Sequence, residues 1–169
     1  RIDGVRRERM SDLATLLPAI SINTSSFELV NDKPSKRRHL LDWGLFHVEP
    51  RFHAHWRTYQ RALDQRNAAL RAGSPPLMLV GWEQAMIEHG LVLNELRATY
   101  IEHLLPLIRP CLDKLDCPGE LECRYQPGWP REKSLEEALV SSRSRDRAQG
   151  FSSIGPHRAD LLIRVDGHA

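Results

Sequence analysis

The chain has 169 residues, of which 41% are hydrophobic and 27% charged, a composition typical of a globular protein with one or two domains. Its net charge of +2 does not by itself indicate a nucleic-acid-binding protein, and no apolar run approaches the length of a membrane-spanning helix. Three cysteines (Cys111, Cys117 and Cys123) lack C-x-x-C spacing, which favours reduced thiols over a zinc or redox site.

The N-terminal part predicts short elements. Residues 1–4, RIDG, have the pattern of a strand that enters an Asp-Gly turn. Ser11 is placed to cap a short helix that ends at Pro18, and residues 19–23 predict a brief strand. A second helix should start at Pro34 and stop before Pro50, with one apolar side formed by Leu40, Leu41, Gly44, Leu45 and Val48.

The centre of the chain predicts a helical hairpin. The first helix, from Arg51 to about Arg71, has an apolar stripe of Phe52, Trp56, Tyr59, Leu63 and Leu70. A turn at residues 73–76, GSPP, leads into a longer helix. Its predicted seam alternates steps of four and three, which is typical of helices that pack along their length: Trp82, Met86, His89, Leu93, Leu96, Tyr100, His103 and Leu107. Pro106 and Pro110 should end or kink this helix.

The C-terminal part combines strands with one helix. Residues 121–125 alternate, with Leu121, Cys123 and Tyr125 on one side. Ser134 and Glu137 form a capping box that opens a helix, which Gly150 should stop. Asp160–Val165 predicts a strand that runs into an Asp-Gly turn, and such a turn needs a second strand. We therefore expect the chain to be a piece of a larger protein.

Three blocks together give the chain a specific resemblance. They are Pro34 with Lys36-Arg37-Arg38 and Leu41-Asp42; Tyr59 with Gln65-Arg66-Asn67; and Gly155-Pro156-His157-Arg158 with Asp160-Leu161. In this order the blocks resemble the middle of the RecF family of bacterial recombination mediators. One departure is that Thr24 and Ser25 stand where the family usually has a proline and an acidic residue.

The resemblance implies an α+β fold, mainly α-helical: an antiparallel helical hairpin arm, with short strands at both ends that belong to a missing SMC-like or ABC-type ATPase head. It divides the chain into residues 1–30 (edge of the head and entry segment), 31–118 (helical arm domain) and 119–169 (return β/α segment). Full-length members bind ATP and Mg²⁺ and form an ATP-dependent homodimer. They act in the bacterial cytoplasm, associated with the nucleoid, on DNA at junctions of single and double strands, and assist RecA loading with RecO and RecR.

The chain itself lacks a G-x-x-x-x-G-K-[ST] loop, so we expect no catalytic residues, no bound cofactor or metal and no ATPase activity in this piece. An autonomous enzyme is disfavoured, because Asp42, His47, His157 and Asp160 show no nucleophile–base spacing.

Basic residues are the candidates for contact with DNA or with a partner protein, since lysine and arginine displace the counterions of phosphates. The candidates are nine basic residues and one histidine: Lys33, Lys36, Arg37, Arg38, Arg57, Arg61, Arg143, Arg145, Arg158 and His157. Two alternatives stay open: the basic runs are solvated faces of a purely structural protein-interaction arm without DNA contact, and His157 pairs with Asp160 instead of projecting outward.

Overall fold

The computed structural model describes residues 18–21, 23, 29, 34–116 and 119–166. Four helices and two strands follow one another: α1 (Pro34–Val48), α2 (Phe52–Arg71), α3 (Leu77–Lys114), β1 (Leu121–Gln126), α4 (Leu135–Gln149) and β2 (Asp160–Val165). The fold is thus mainly helical with a small antiparallel sheet, as predicted. The predicted strand at residues 1–4 and the helix capped by Ser11 lie outside the described residues.

Helices α2 and α3 form the predicted antiparallel hairpin. The contacts run in opposite directions along the two helices. His55, near the start of α2, lies 2.9 Å from His89, whereas Arg66, nearer its end, lies 3.0 Å from Glu83, which is closer to the start of α3. Apolar side chains of both helices and of α4 make the main core, which includes Tyr59, Leu63, Met86, Leu93 and Leu139. The apolar stripes of α2 and α3 are therefore covered by α4 as well as by each other.

The buried face of α3 is rotated from the predicted seam. Met86, Leu93 and Leu96 are buried as expected, but Trp82, His103 and Leu107 are exposed. The residues that take the inner positions instead are Leu79, Glu83, Gly90, Arg97 and Ile101. The prediction was wrong at both ends of the helix because two charged residues and a glycine occupy positions that the pattern assigned to the surface.

Other sequence predictions were also wrong. Val48, at the end of α1, and Trp56, in the predicted stripe of α2, are exposed. The described residues among 19–23 form no strand. The prediction that Pro106 or Pro110 ends α3 was wrong, because the helix continues to Lys114; the alternative of a kink stays a prediction. Each proline removes one backbone donor, and both side chains lie on the exposed side of the helix, so the remaining hydrogen bonds carry the helix onward.

The sheet consists of β1 and β2, paired from Leu121 opposite Val165 to Gln126 opposite Asp160. Leu161, with Cys123, Tyr125 and Ile163, packs on Leu41 of α1 and Ile101 of α3. β2 therefore pairs with β1, earlier in the chain, while the strand predicted after the Asp-Gly turn lies outside the described residues. The capping box at Ser134 and the left-handed Gly150 that ends α4 are both present as predicted.

None of the helices in the described part of the chain combines the length and apolar character needed to cross a membrane. Cys111 and Cys123 are free thiols, as expected for the two cysteines that the structure describes.

Gly44 and Gly81 offer a matched pair of helical glycines. A Cβ on Gly44 would collide with the Tyr100 ring, whereas a Cβ on Gly81 would meet nothing within 4 Å. We expect Gly44→Ala to lower the free energy of unfolding by about 1–3 kcal/mol through overpacking. Gly81→Ala should raise it by up to about 1 kcal/mol, because alanine favours the helix. Urea unfolding measures both; equal effects would contradict the packing of α1 on α3.

Candidate functional site

The three sequence blocks meet at the segment between α4 and β2, residues 150–160, which we name the GPHR loop. The loop turns at Gly150 (φ 74°) and Gly155 (φ 130°), makes a short 3₁₀ turn at Pro156–Arg158 and enters β2 through the buried Ala159. A side chain at Gly155 would also meet the hydroxyl of Tyr59. The loop is thus held in one shape by close contacts with the helices.

A fully buried arginine anchors the start of the loop. Arg66 of α2 donates to Glu83 Oε1 of α3 (3.0 and 3.1 Å), to Asp146 Oδ2 of α4 (2.8 Å) and to Ser152 Oγ of the loop (2.8 Å). Glu83 also accepts from Arg143. Two guanidinium groups therefore face two carboxylates, and the cluster is electrically balanced although it is enclosed.

Neighbouring polar groups complete this anchor. The amide oxygen of Asn67 accepts from the backbone N–H of Ser152 (2.7 Å) and from its hydroxyl (2.8 Å). The second oxygen of Asp146 accepts from the backbone N–H of Ser153 at 3.0 Å. Both Arg66 and Asn67 belong to the second sequence block, so that block positions the third.

His157 points into the protein. Its Nε2 lies 2.9 Å from the carbonyl oxygen of Ser152, and its Nδ1 lies 2.8 Å from the hydroxyl of Tyr59. A carbonyl only accepts, so Nε2 carries the proton and the Tyr59 hydroxyl donates to Nδ1. Burial lowers the pKa of His157 to about 4, and burial likewise raises the pKa of Tyr59. The ring is therefore neutral at pH 7.

This geometry corrects two predictions about the loop. His157 does not project outward from a rigid support, and it does not pair with Asp160. Asp160 instead receives a bidentate pair from Arg37 of α1, at 2.8 and 3.0 Å. Arg37 also donates to the carbonyl oxygen of Leu29. Its guanidinium is consequently enclosed by protein groups rather than exposed in the first turn of α1.

Two more arginines hold the second half of the loop through its carbonyl oxygens. Arg97 of α3 donates to the carbonyl oxygen of Pro156 (2.7 Å) and makes a bidentate pair with Asp42 of α1 (2.8 and 2.9 Å). Arg38 donates to the carbonyl oxygen of Ala159 at 2.6 Å. All four helices thus contribute side chains to the GPHR loop.

An open basic groove of about 640 Å³ lies beside the loop, and we name it the arginine groove. Arg124 of β1, Arg131 and Arg158 line it, with Glu132 as its one acidic residue. At the base of the groove Gly128 packs closely on Gly155 and Ala159. A side chain at position 128 would collide with the backbone of both residues. Arg158 also lies over the Phe151 ring, 5.4 Å from its centroid. The arrangement provides three cations on a rigid support.

The other predicted site residues are scattered. Lys36, Arg57 and Arg61 are exposed on α1 and α2; Arg143 is half-buried on Glu83, and Arg145 donates to Ser153 Oγ at 2.7 Å. Lys33 lies outside the described residues. Of the ten candidates, only Arg158 lines the arginine groove. The described residues include no group of three or more side chains that could hold a metal ion.

Several residues of the site were not predicted from the sequence: Glu83, Arg97, Asp146, Arg124 and Arg131. A signal for the first two exists, because Glu83, Gly90 and Arg97 are spaced by seven, which places them on one face of the helix. Arg124 carried no comparable signal, since an alternating strand places its polar residues toward solvent in any case. Arg131 lies in the connection between β1 and α4, where charged residues are common.

Removal of the buried guanidinium of Arg66 should destabilise the fold, because two carboxylates would stay enclosed with less positive charge beside them. We expect Arg66→Met to lower the free energy of unfolding by about 3–5 kcal/mol, because Glu83 and Asp146 lose their shared partner. The exposed Arg61→Met on the same helix is the control and should stay within about 0.5 kcal/mol of the parent. Urea unfolding measures both, and a loss below about 1 kcal/mol for Arg66→Met would contradict the anchor.

His157 should make stability depend on pH. Its pKa is about 4 in the folded chain and about 6.5 when unfolded, so its contribution is complete above pH 6.5 and is lost as pH falls toward 4. Between pH 7 and pH 5 the parent should lose about 2 kcal/mol more than His157→Gln, which cannot titrate. Urea unfolding at both pH values tests this; parallel losses would show that His157 is not buried as a neutral ring.

The chain is similar to RecF proteins along nearly its whole length. It is 45% identical over 167 residues to the DNA replication and repair protein RecF of Thioalkalivibrio sulfidiphilus, covering 99% of this chain and 46% of that protein. It is 41% identical to RecF of Xanthomonas oryzae pv. oryzae over 168 residues and of Pseudomonas putida over 169 residues, again covering 46% of each. The chain thus spans about half the length of these relatives. It matches no protein-family model.

Solved structures agree on the fold. The recombination mediator protein RecF solved in complex with ATP, from the RecFOR pathway, superposes with a TM-score of 0.77 at 21% identity, covering 87% of this chain and 43% of that one. A second structure of the same mediator gives a TM-score of 0.79 at 22% identity, with the same coverage. The resemblance predicted from the three sequence blocks is confirmed: the chain is similar in sequence and in fold to a part of RecF.

Proposed function

We propose that the chain serves as the arm and return segment of a RecF-type DNA-repair ATPase, with residues 31–118 as the arm, 119–169 as the return segment and 1–30 as the entry from the head. The supporting observation is the 45% identity to a DNA replication and repair protein across 99% of the chain. In this role it binds DNA at junctions of single and double strands and, with RecO and RecR, assists the loading of RecA in the bacterial cytoplasm.

We assign the DNA contact to the arginine groove. Three guanidinium groups outnumber the single carboxylate of Glu132, and the groove is open to a ligand as large as a nucleic-acid backbone. Arginines bind phosphate oxygens independently of base sequence, so such a groove supplies affinity and orientation rather than sequence recognition. The GPHR loop supports the groove from below, which fixes the position of Arg158.

Nucleotide chemistry belongs, in this proposal, to the rest of the full-length protein. Because the chain has no phosphate-binding glycine loop, it does not hydrolyse ATP by itself, and ATP with Mg²⁺ joins two full-length copies through their heads. In this proposal β1 and β2 connect the support of the arginine groove to those heads.

A salt titration with a fluorescent junction DNA tests the assignment. We expect the chain to bind with an affinity that falls as salt rises, and the triple variant Arg124→Ala, Arg131→Ala, Arg158→Ala to bind at least about tenfold more weakly. The slope of log affinity against log salt should fall by about 0.9 for each phosphate that is no longer neutralised by an arginine, up to three. Arg57→Ala with Arg61→Ala, on the exposed side of α2, is the control and should leave both quantities unchanged.

Three other outcomes would each contradict one part of the proposal. Loss of binding only in the α2 variant would place the DNA on α2 and refute the arginine groove. Absence of salt-dependent binding in the parent chain would refute DNA contact and favour the purely structural protein-interaction arm. Saturable heat on titration of the parent with ATP and Mg²⁺ would refute the division of roles between this chain and the head.

A further inference from the structure

The tip of the helical hairpin carries an uncovered apolar surface. Four apolar side chains in the first two turns of α3 are exposed: Leu77 by 83%, Met78 by 64%, Val80 by 45% and Trp82 by 38%. In this stretch only Leu79 and Glu83 face the protein. We name the four exposed residues the tip patch. A helix that is apolar around its whole circumference is normally buried on all sides, and no described element of this chain covers the tip patch.

Exposed charge around the tip patch is positive. Arg71, in the last turn of α2, and Arg147, in the last turn of α4, are both exposed, and Arg147 donates to the carbonyl oxygen of Ser74 in the hairpin turn at 2.6 Å. The nearby carboxylates, Glu83 and Asp146, are buried on Arg66 and Arg143 and offer no charge to the surface. The described residues of the tip thus combine an apolar centre with a basic rim.

The start of α3 adds to this polarity. Pro76 precedes the helix without a side-chain hydrogen bond to its first turn, and that turn contains no acidic residue. The positive end of the helix dipole therefore adds to the potential at the same place as Arg71 and Arg147. Gly81, beside Trp82, has open space above it and lets another backbone approach closely.

We propose that the tip patch docks a partner protein through an acidic amphipathic segment, whose apolar residues cover Leu77, Met78 and Trp82 while its carboxylates pair with Arg71 and Arg147. A second copy of this chain does not fit, because two tips brought together would oppose arginine to arginine. The site is distinct from the arginine groove, because no residue of the tip patch lines that groove. The inference therefore does not depend on DNA binding.

Binding of labelled peptides to the intact chain tests the proposal. The probe is a helical peptide with leucines at positions i, i+3, i+4 and i+7 and glutamates on both sides of the stripe, and its partner probe replaces every glutamate by lysine. We expect fluorescence anisotropy to show the acidic peptide binding at least about tenfold more tightly than the basic one. Leu77→Ser with Met78→Ser should weaken the acidic peptide by at least about tenfold, while junction-DNA binding by the same variant stays at the parent level.

A charge reversal separates specific docking from general stickiness. Arg71→Glu should reduce or invert the preference for the acidic peptide, and because this side chain is exposed, the thermal unfolding midpoint should stay close to the parent value. Equal binding of the two peptides, no binding of either, or an unchanged preference in Arg71→Glu would each overturn the proposal. Concentration-dependent dimers in the parent that disappear in Leu77→Ser with Met78→Ser would overturn it as well, in favour of a second copy.

Discussion

The buried guanidinium of Arg66 is the interaction on which the rest of the structure depends. An enclosed charge is tolerated only where opposite charges and hydrogen bonds surround it, and Arg66 finds them on α3, α4 and the GPHR loop together. α3 is far in sequence from α4 and from the loop that follows α4, so one side chain determines how the hairpin, its covering helix and the loop fit together. The main apolar core could tolerate small shifts of α4, whereas the geometry of two carboxylates on one guanidinium could not.

The same logic extends along the GPHR loop. The loop is short of large apolar side chains, and it is held instead by Tyr59 on His157, Arg97 on the carbonyl oxygen of Pro156, and Arg37 on Asp160. Each of these contacts joins residues that are about sixty or more positions apart. The three blocks that resemble RecF are therefore parts of one polar assembly, and the arginine groove is built on its outer surface.

Local signals were enough to predict much of this fold. The proline that opens α1, the capping box of α4, the turn between α2 and α3 and the alternation of β1 each act over a few residues, and each appeared as expected. The rotation of α3 could not be read in the same way, because Glu83 and Arg97 are surface residues by type and become core residues only through partners on other elements. His157 was misplaced for the same reason, since its acceptor and donor come from Ser152 and from Tyr59, which lies on a distant helix. The site was thus predictable in its sequence blocks but not in the directions of its side chains.

The two prolines inside α3 have a consequence for its backbone hydrogen bonds. Pro106 and Pro110 are four residues apart, so the carbonyl groups of Glu102 and of Pro106 lack their usual amide donors on the same side of one helix. The helix continues there with two of its backbone hydrogen bonds missing. Because Ile101, before the prolines, and β1, after them, pack together with Leu161 of β2, side-chain contacts hold both ends of this stretch in place. The two carbonyl groups without amide donors belong to exposed residues, so water can bind them.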